Sequence, residues 1–183
     1  IMKYSNKKII ILEKNSVTPS GDINLESLEK LGNVTVFDNV PDGNLEDIVK
    51  DAEAVICSKA KFTADVFSKC PNLKYIGLWA TGYDNIDVSA AAEKGITVSN
   101  VPGYSTDSVA QHTFALLFYL LEKLRYYDEY VKTEKYIGDV SFTHFANAFH
   151  EIAGMTWGIV GLGNIGRRVA DIAKCFGCKV IYY

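Results

Sequence analysis

The sequence predicts an α/β protein built as two consecutive units, and three observations predict it. Short β-branched runs alternate with helical stretches through the first hundred residues; Val101-Pro102-Gly103 then punctuates the chain; and an apolar strand at Thr156 to Val160 leads straight into a glycine-spaced loop and a helix. Lys7 to Leu12 is bounded by polar residues and suits a strand buried on both faces of a parallel sheet. A helix is expected at Leu25 to Leu31, closed by Gly32, followed by a strand at Val34 to Phe37 and a helix at Leu45 to Asp51. A strand at Ala54 to Cys57, a helix at Thr63 to Lys69 and a strand at Leu73 to Trp79 continue the alternation. Asp87 caps a helix running to Lys94, Gly95 stops it, and Ile96 to Val98 is the fifth strand. Five strands with helices between them have the rhythm of a flavodoxin-like doubly wound unit.

Beyond the Pro-Gly boundary a helix is expected from Ser105 to Tyr127. Val109, Ala110, Phe114, Leu117, Leu121 and Leu124 fall on one face, and its length suits a bridge between two units. Tyr126 to Phe149 is rich in aromatic residues and weak in periodicity. It reads as rings packing on their own unit, with a contact between two copies, a homodimer, as the alternative, because Tyr and Phe are common in interface cores. After Gly154 come the strand, the loop Gly161 to Gly166, a helix to Phe176 stopped by Gly177, and a strand from Lys179 to Tyr183.

Composition narrows the function. The 183 residues are 48% hydrophobic and 22% charged, with a net charge of −3, which fits an ordinary globular protein and excludes disorder, collagen and coiled coil. The chain has three arginines, Arg125, Arg167 and Arg168, too few for a phosphate-backbone footprint, so no nucleic-acid partner is expected. The apolar run Phe114 to Leu121 falls far short of the roughly 20 residues that span a bilayer, so no membrane partner is expected either. With no basic-then-apolar leader and four sparse cysteines, the expected setting is cytoplasmic with reduced thiols. Cys175-Phe176-Gly177-Cys178 lacks the second ligand pair that zinc needs, and its first thiol closes a helix rather than opening one, so all four cysteines read as inert.

Gly161, Gly163 and Gly166 form G-x-G-x-x-G directly after a strand and at the opening of a helix, the context in which the motif signals dinucleotide binding. The first glycine permits the tight turn, the second lets the backbone approach a pyrophosphate, and the third lets helix and strand pack closely. The phosphates would sit on unpaired N–H groups, including those of Asn164 and Ile165, at the positive end of the helix, with Arg167 adding charge. The segment 101–183 thus reads as the start of a Rossmann unit. An acid about 20 residues past the first glycine would favour NAD over NADP. Counting that far reaches Ile181, and no acid occurs from Lys174 onward, so NADP is not excluded. Val180 to Tyr183 is a bare apolar strand that further strands would have to cover, so the chain is expected to be the N-terminal piece of a longer protein.

Three stretches, Leu73-Lys74-Tyr75-Ile76 with Ala80 to Asp87, Asn100 to Thr106 continuing through Ser108 to Thr113, and Thr156 to Val160 with its glycine loop, carry a family likeness. They resemble the NAD-dependent D-isomer-specific 2-hydroxyacid dehydrogenases, and within them the glycerate dehydrogenase (hydroxypyruvate reductase) branch. The resemblance implies a substrate domain at 2–100 and the beginning of a dinucleotide domain at 101–183, with the active site of the family in a cleft between such domains. It implies that the Thr81 and Gly82 amides hold the substrate carboxylate, that Thr106 touches the cofactor near the nicotinamide, and that the substrate is a small 2-keto or 2-hydroxy acid. For Thr81 and Gly82 the plainer alternative is a strand-to-helix turn capped by Asp84 or Asp87. For Thr106 it is a hydroxyl that satisfies an orphan amide at a helix start.

The family's reaction moves a hydride between nicotinamide and a 2-keto carbon, with an Arg, a Glu and a His as cation and acid. None of the three is recognisable here, so the chain is expected to be catalytically incomplete. Arg125 falls on the long helix, and His112, His144 and His150 read as ordinary helix or loop histidines, with His112 a marker of the branch. A rival of another class is an NAD-sensing corepressor-like binding protein, because the family includes transcriptional corepressors on this scaffold. A phosphorylated receiver domain shares the strand rhythm but fails, since the third strand runs into Cys57-Ser58 instead of an acceptor Asp, and only Glu13 follows the first strand.

Overall fold

A computed structural model describes residues 6–139, 141 and 143–183. The chain forms two compact units, one ending at Pro102 and the other beginning at Gly103. In the first, β1 (Lys8–Ile11), β2 (Asn33–Val36), β3 (Ala54–Cys57), β4 (Tyr75–Leu78) and β5 (Thr97–Ser99) are all parallel, in the order β2-β1-β3-β4-β5. That is the flavodoxin-like order, and the point where the strand order reverses falls between β1 and β3. The connecting helices are short: α1 (Glu26–Glu29), α2 (Leu45–Val49), α3 (Ala64–Ser68) and α4 (Val88–Glu93). Thr63 caps α3 through the Val66 amide, and Asp87 caps α4 through the Ala90 amide. Each cap satisfies one of the donors a helix leaves unpaired at its start.

The core of this unit joins Ile10, Val55 and Ile76 on the strands to Val49, Phe67 and Ala91 on the helices, with Phe62 stacked on Phe67 at a ring separation of 6.0 Å. Burial on both faces is what the unbroken apolar runs of β1 and β4 require.

The second unit contains α5 (Thr106–Leu121), α6 (Leu124–Lys132), β6 (Thr156–Ile159), α7 (Asn164–Cys175) and β7 (Lys179–Tyr182), with β6 and β7 paired in parallel. The long helix expected from Ser105 to Tyr127 is two helices. Lys123 adopts a left-handed conformation (φ 53°), which ends α5 and begins α6, so Arg125 lies past the break. The expected apolar face is only partly realised: Ala110 and Phe114 are buried and Val109 and Leu124 exposed, and hydrophobic periodicity does not report whether the backbone bonds are continuous. The core here is Ala110 and Phe114 of α5 against Ile159, Val169, Ala170 and Ala173, with Phe114 stacked on Trp157 (4.8 Å) and Phe176 (5.6 Å).

Candidate functional site

Two turns carry the candidate binding groups, one in each unit. The first leaves β4. Thr81 and Gly82 are exposed, and among the described residues neither backbone N–H donates to a protein acceptor. The backbone beside them is braced: Asn100 Nδ2 donates to the Thr81 carbonyl at 2.7 Å, Thr81 Oγ1 donates to the Val101 carbonyl at 3.0 Å, and the Val101 amide donates to the Ala80 carbonyl at 3.0 Å. Asp87 caps α4, accepting the Ala90 amide at 3.0 Å. The plainer turn reading is therefore right about Asp87, yet the cap leaves Thr81 and Gly82 uncommitted. Asp84 Oδ1 would stand 3.3 Å from a Cβ on Gly82, so an anion here meets a like charge and the amide dipoles must supply the attraction.

Sequence reasoning assigned no role to the groups that hold this turn. Asn85 Nδ2 donates to the Ala60 carbonyl at 2.8 Å, and the Phe62 amide donates to the Asn85 carbonyl at 2.9 Å. Glu13, noted only as an acid after the first strand, accepts the amides of Ser58, Lys59 and Ala60 on one oxygen at 2.8, 2.7 and 3.2 Å. The signal for both side chains was positional: polar residues in the segments that leave the strands of a doubly wound sheet, where turns need partners. Cys57, just before the turn that leaves β3, is wholly buried; burial first and the charge of Glu13 second push its thiol up to about 12, which leaves it protonated and unreactive at neutral pH. All four thiols are unpaired, and among the described residues no cluster of three His, Cys, Asp or Glu could hold a metal.

The second turn follows β6. Gly161 takes a positive φ of 91°, and its amide donates to the Tyr183 carbonyl at 3.0 Å, which extends the β6–β7 ladder. A Cβ on Gly166 would lie 2.2 Å from the Gly161 carbonyl oxygen and 3.3 Å from Ile159 Cγ2, so only glycine lets α7 approach the strand this closely. Gly163 differs from both. Its backbone (φ −77°, ψ −163°) suits any residue, and a Cβ there would meet nothing within 4 Å. Gly163 caps α7 without a side chain, and among the described residues the amides of Asn164, Ile165 and Gly166 have no protein acceptor; the first helical bond is from the Arg167 amide to the Gly163 carbonyl at 2.9 Å. Three unpaired donors at the start of a 12-residue helix are an anion cradle.

Thr106 is the first residue of α5, and among the described residues its hydroxyl has no protein partner, so it does not satisfy an orphan amide. The neighbouring Asp107 accepts Arg168 Nε at 2.8 Å, which ties the start of α5 to the start of α7. His112 and His150 are exposed. His144 stacks on Tyr130 at 3.9 Å, shares a 2.8 Å hydrogen bond with the Tyr126 hydroxyl and lies 3.5 Å from Asp139, so part of the aromatic stretch packs on its own unit. Val140 and Phe142 in that stretch lie outside the described residues.

A five-stranded flavodoxin-like sheet followed by a strand, a glycine turn and a helix defines an α/β protein of Rossmann-like construction. Comparison with known families gives the particular group: residues 9–160 match the D-isomer specific 2-hydroxyacid dehydrogenase catalytic domain, and the chain belongs to that family. It is 35% identical over 179 residues to a hydroxypyruvate reductase of Blautia hydrogenotrophica, covering 96% of this chain and 55% of that protein. It is 38% identical over 136 residues to a glyoxylate reductase of Korarchaeum cryptofilum, covering 74% and 40%. Among solved structures, D-lactate dehydrogenase from Aquifex aeolicus, complexed with NAD and lactic acid, superposes with a TM-score of 0.76 at 31% identity, covering 97% of this chain and 51% of that one. An acyclic imino acid reductase in complex with NADPH and D-Arg superposes with a TM-score of 0.77 at 32% identity, covering 96% and 55%. The chain spans about half the length of the relatives it matches. Among the described residues no helix is long and apolar enough to cross a membrane.

Proposed function

We propose that this chain supplies the substrate-carboxylate and cofactor-phosphate sites of an NAD(P)-dependent oxidoreductase that transfers a hydride between nicotinamide and a small D-2-hydroxy acid, glycerate with its keto partner hydroxypyruvate. The hydroxypyruvate and glyoxylate reductases among its relatives support that substrate class. The observation that carries the reading is the turn opening α7: three amides unpaired among the described residues stand beside Gly163, where the lack of a Cβ and of any neighbour within 4 Å leaves the backbone open to a ligand. A pyrophosphate on the Asn164, Ile165 and Gly166 amides is that ligand, with Gly161 and Gly166 setting the turn. The residues therefore fit a dinucleotide, which when bound supplies or accepts the hydride.

In this reading the free amides of Thr81 and Gly82 take the carboxylate of the acid, and the unpartnered Thr106 hydroxyl contacts the cofactor. Neither a proton donor nor a carbonyl-polarising cation is assigned to any residue of the chain, and binding without them leaves most of the barrier in place. The 183 residues alone are expected to bind NADH or NADPH and to show no NADH oxidation with hydroxypyruvate. The reading also takes the protein to be a cytoplasmic homodimer: four free thiols suit a reducing compartment, and exposed Ile137 and Phe145 offer apolar surface to a second copy.

The test is fluorescence titration with NADH and NADPH on the chain and on Gly163→Val. Saturable binding lost in the variant, with thermal stability retained, supports the proposal; equal binding by both refutes it.

A further inference from the structure

Glu13 holds a backbone conformation that residues with a side chain avoid, φ 60° and ψ 38°, directly after β1. This places its carboxylate on the turn that leaves β3, where one oxygen receives the three successive amides of Ser58, Lys59 and Ala60. Three converging backbone N–H groups make an anion-binding concavity. It sits where β1 and β3 adjoin, the position at which doubly wound sheets bind ligands.

The turn is also wired forward. The Ala60 carbonyl accepts Asn85 Nδ2 at 2.8 Å, the Phe62 amide donates to the Asn85 carbonyl at 2.9 Å, and the Asp87 amide donates to the Phe62 carbonyl at 2.8 Å. Phe62 is fully buried, and Phe62 and Ile86 form a parallel bridge. One end of the segment bearing Thr81 and Gly82 is thereby fastened to the β3 turn, and the other end to Asn100 and Val101.

We propose that Glu13 is a positioning residue that fills the anion concavity at the β1–β3 switch point with the protein's own carboxylate. It fixes the β3 turn, and through Asn85 the β4 turn, and leaves the Thr81–Gly82 amides as the place where an external carboxylate binds. The inference rests on the proposed carboxylate role of Thr81 and Gly82.

The test is amide-resolved NMR titration of the 183-residue chain with oxalate, a planar two-carbon diacid that mimics a 2-keto acid. Glu13→Gly is the informative variant, because glycine accepts the positive φ and the side chain with its carboxylate is lost without adding backbone strain. Expected are oxalate-dependent shifts at Thr81 and Gly82 in the unaltered chain and about ten-fold weaker affinity in the variant. Formate, binding in the emptied concavity, is expected to return the Ser58, Lys59 and Ala60 resonances toward their original positions and to close the affinity gap between the two proteins. Were Glu13 merely structural, its loss would lower the denaturation midpoint and leave the oxalate affinity of the folded variant unchanged. Equal oxalate affinity in the two proteins, or an unrescued loss, overturns the role of Glu13 and leaves the carboxylate site standing. Absence of shifts at Thr81 and Gly82 in the unaltered chain overturns the site itself, and this inference with it. Should Glu13→Gly fail to fold, Glu13→Gln keeps one acceptor oxygen without the charge; an intermediate oxalate affinity supports the proposal, and an unchanged one overturns it.

Discussion

The turn after β4 and the turn after β6 both present unpaired amides at the end of a parallel strand, and they are built by opposite means. Side chains brace the first: Asn85, Asn100, Thr81 and Asp87 each spend a hydrogen bond on neighbouring backbone. The second has no side-chain cap, and its shape comes from glycines, one at positive φ and one in contact too close for a Cβ. A turn held by polar braces weakens when an atom is removed. One held by close packing breaks when an atom is added.

The largest expected effect follows from that asymmetry. Gly166→Ala forces a methyl group to within 2.2 Å of the Gly161 carbonyl and should cost about 3 kcal/mol, seen in chemical denaturation as an earlier transition, with NADH binding lost. Asn85→Ala should cost about 2 kcal/mol in the first unit, since the partly buried Ala60 carbonyl loses its partner, and it should leave NADH binding unchanged. Asp87→Ala removes the α4 cap, worth about 1 kcal/mol, read by the same measurement. Gly163→Ala should shift stability by less than about 0.5 kcal/mol, because its backbone is ordinary and the space is open, while weakening NADH binding at least ten-fold by the order of one mis-set contact. A large stability loss there would show that the second turn is closed by its own packing throughout.

The smallest effect concerns pH. The hydrogen bond from Lys69 holds the Glu46 carboxyl below its ordinary value in an exposed ion pair. Because the folded value is the lower one, its contribution is present above the ordinary carboxylate range and is lost as pH falls through the folded value. Glu46→Gln should lower the neutral plateau slightly, flatten that acid limb of the stability profile and leave stability below the folded value unchanged.

Much of this architecture was legible in the sequence. The apolar runs at 9–12, 54–57 and 75–79 are unbroken because the sheet is covered on both faces, and that pattern gives both strand and parallel pairing. The glycine turn was legible because its spacing follows from steric requirements that act locally. The break at Lys123 was not: no Gly or Pro marks it, and a lysine in the left-handed region leaves no trace in hydrophobic periodicity. Glu13 escaped a functional assignment because its partners, Ser58 to Ala60, lie some 45 residues away along the chain, and only the fold brings β1 and β3 side by side. Asn85 and Asn100 stood within the motifs that carry the family resemblance, yet their hydrogen bonds depend on which strand ends adjoin.

The central claim is that the amides opening α7 exist to receive a dinucleotide's phosphates. Amide-resolved titration of the unaltered chain with NADH measures it directly. Saturable shifts concentrated at Gly163, Asn164, Ile165 and Gly166, and abolished in a folded Gly163→Val chain, are the expected result. Undisturbed resonances at those four positions, at NADH concentrations that saturate other members of the family, would contradict it.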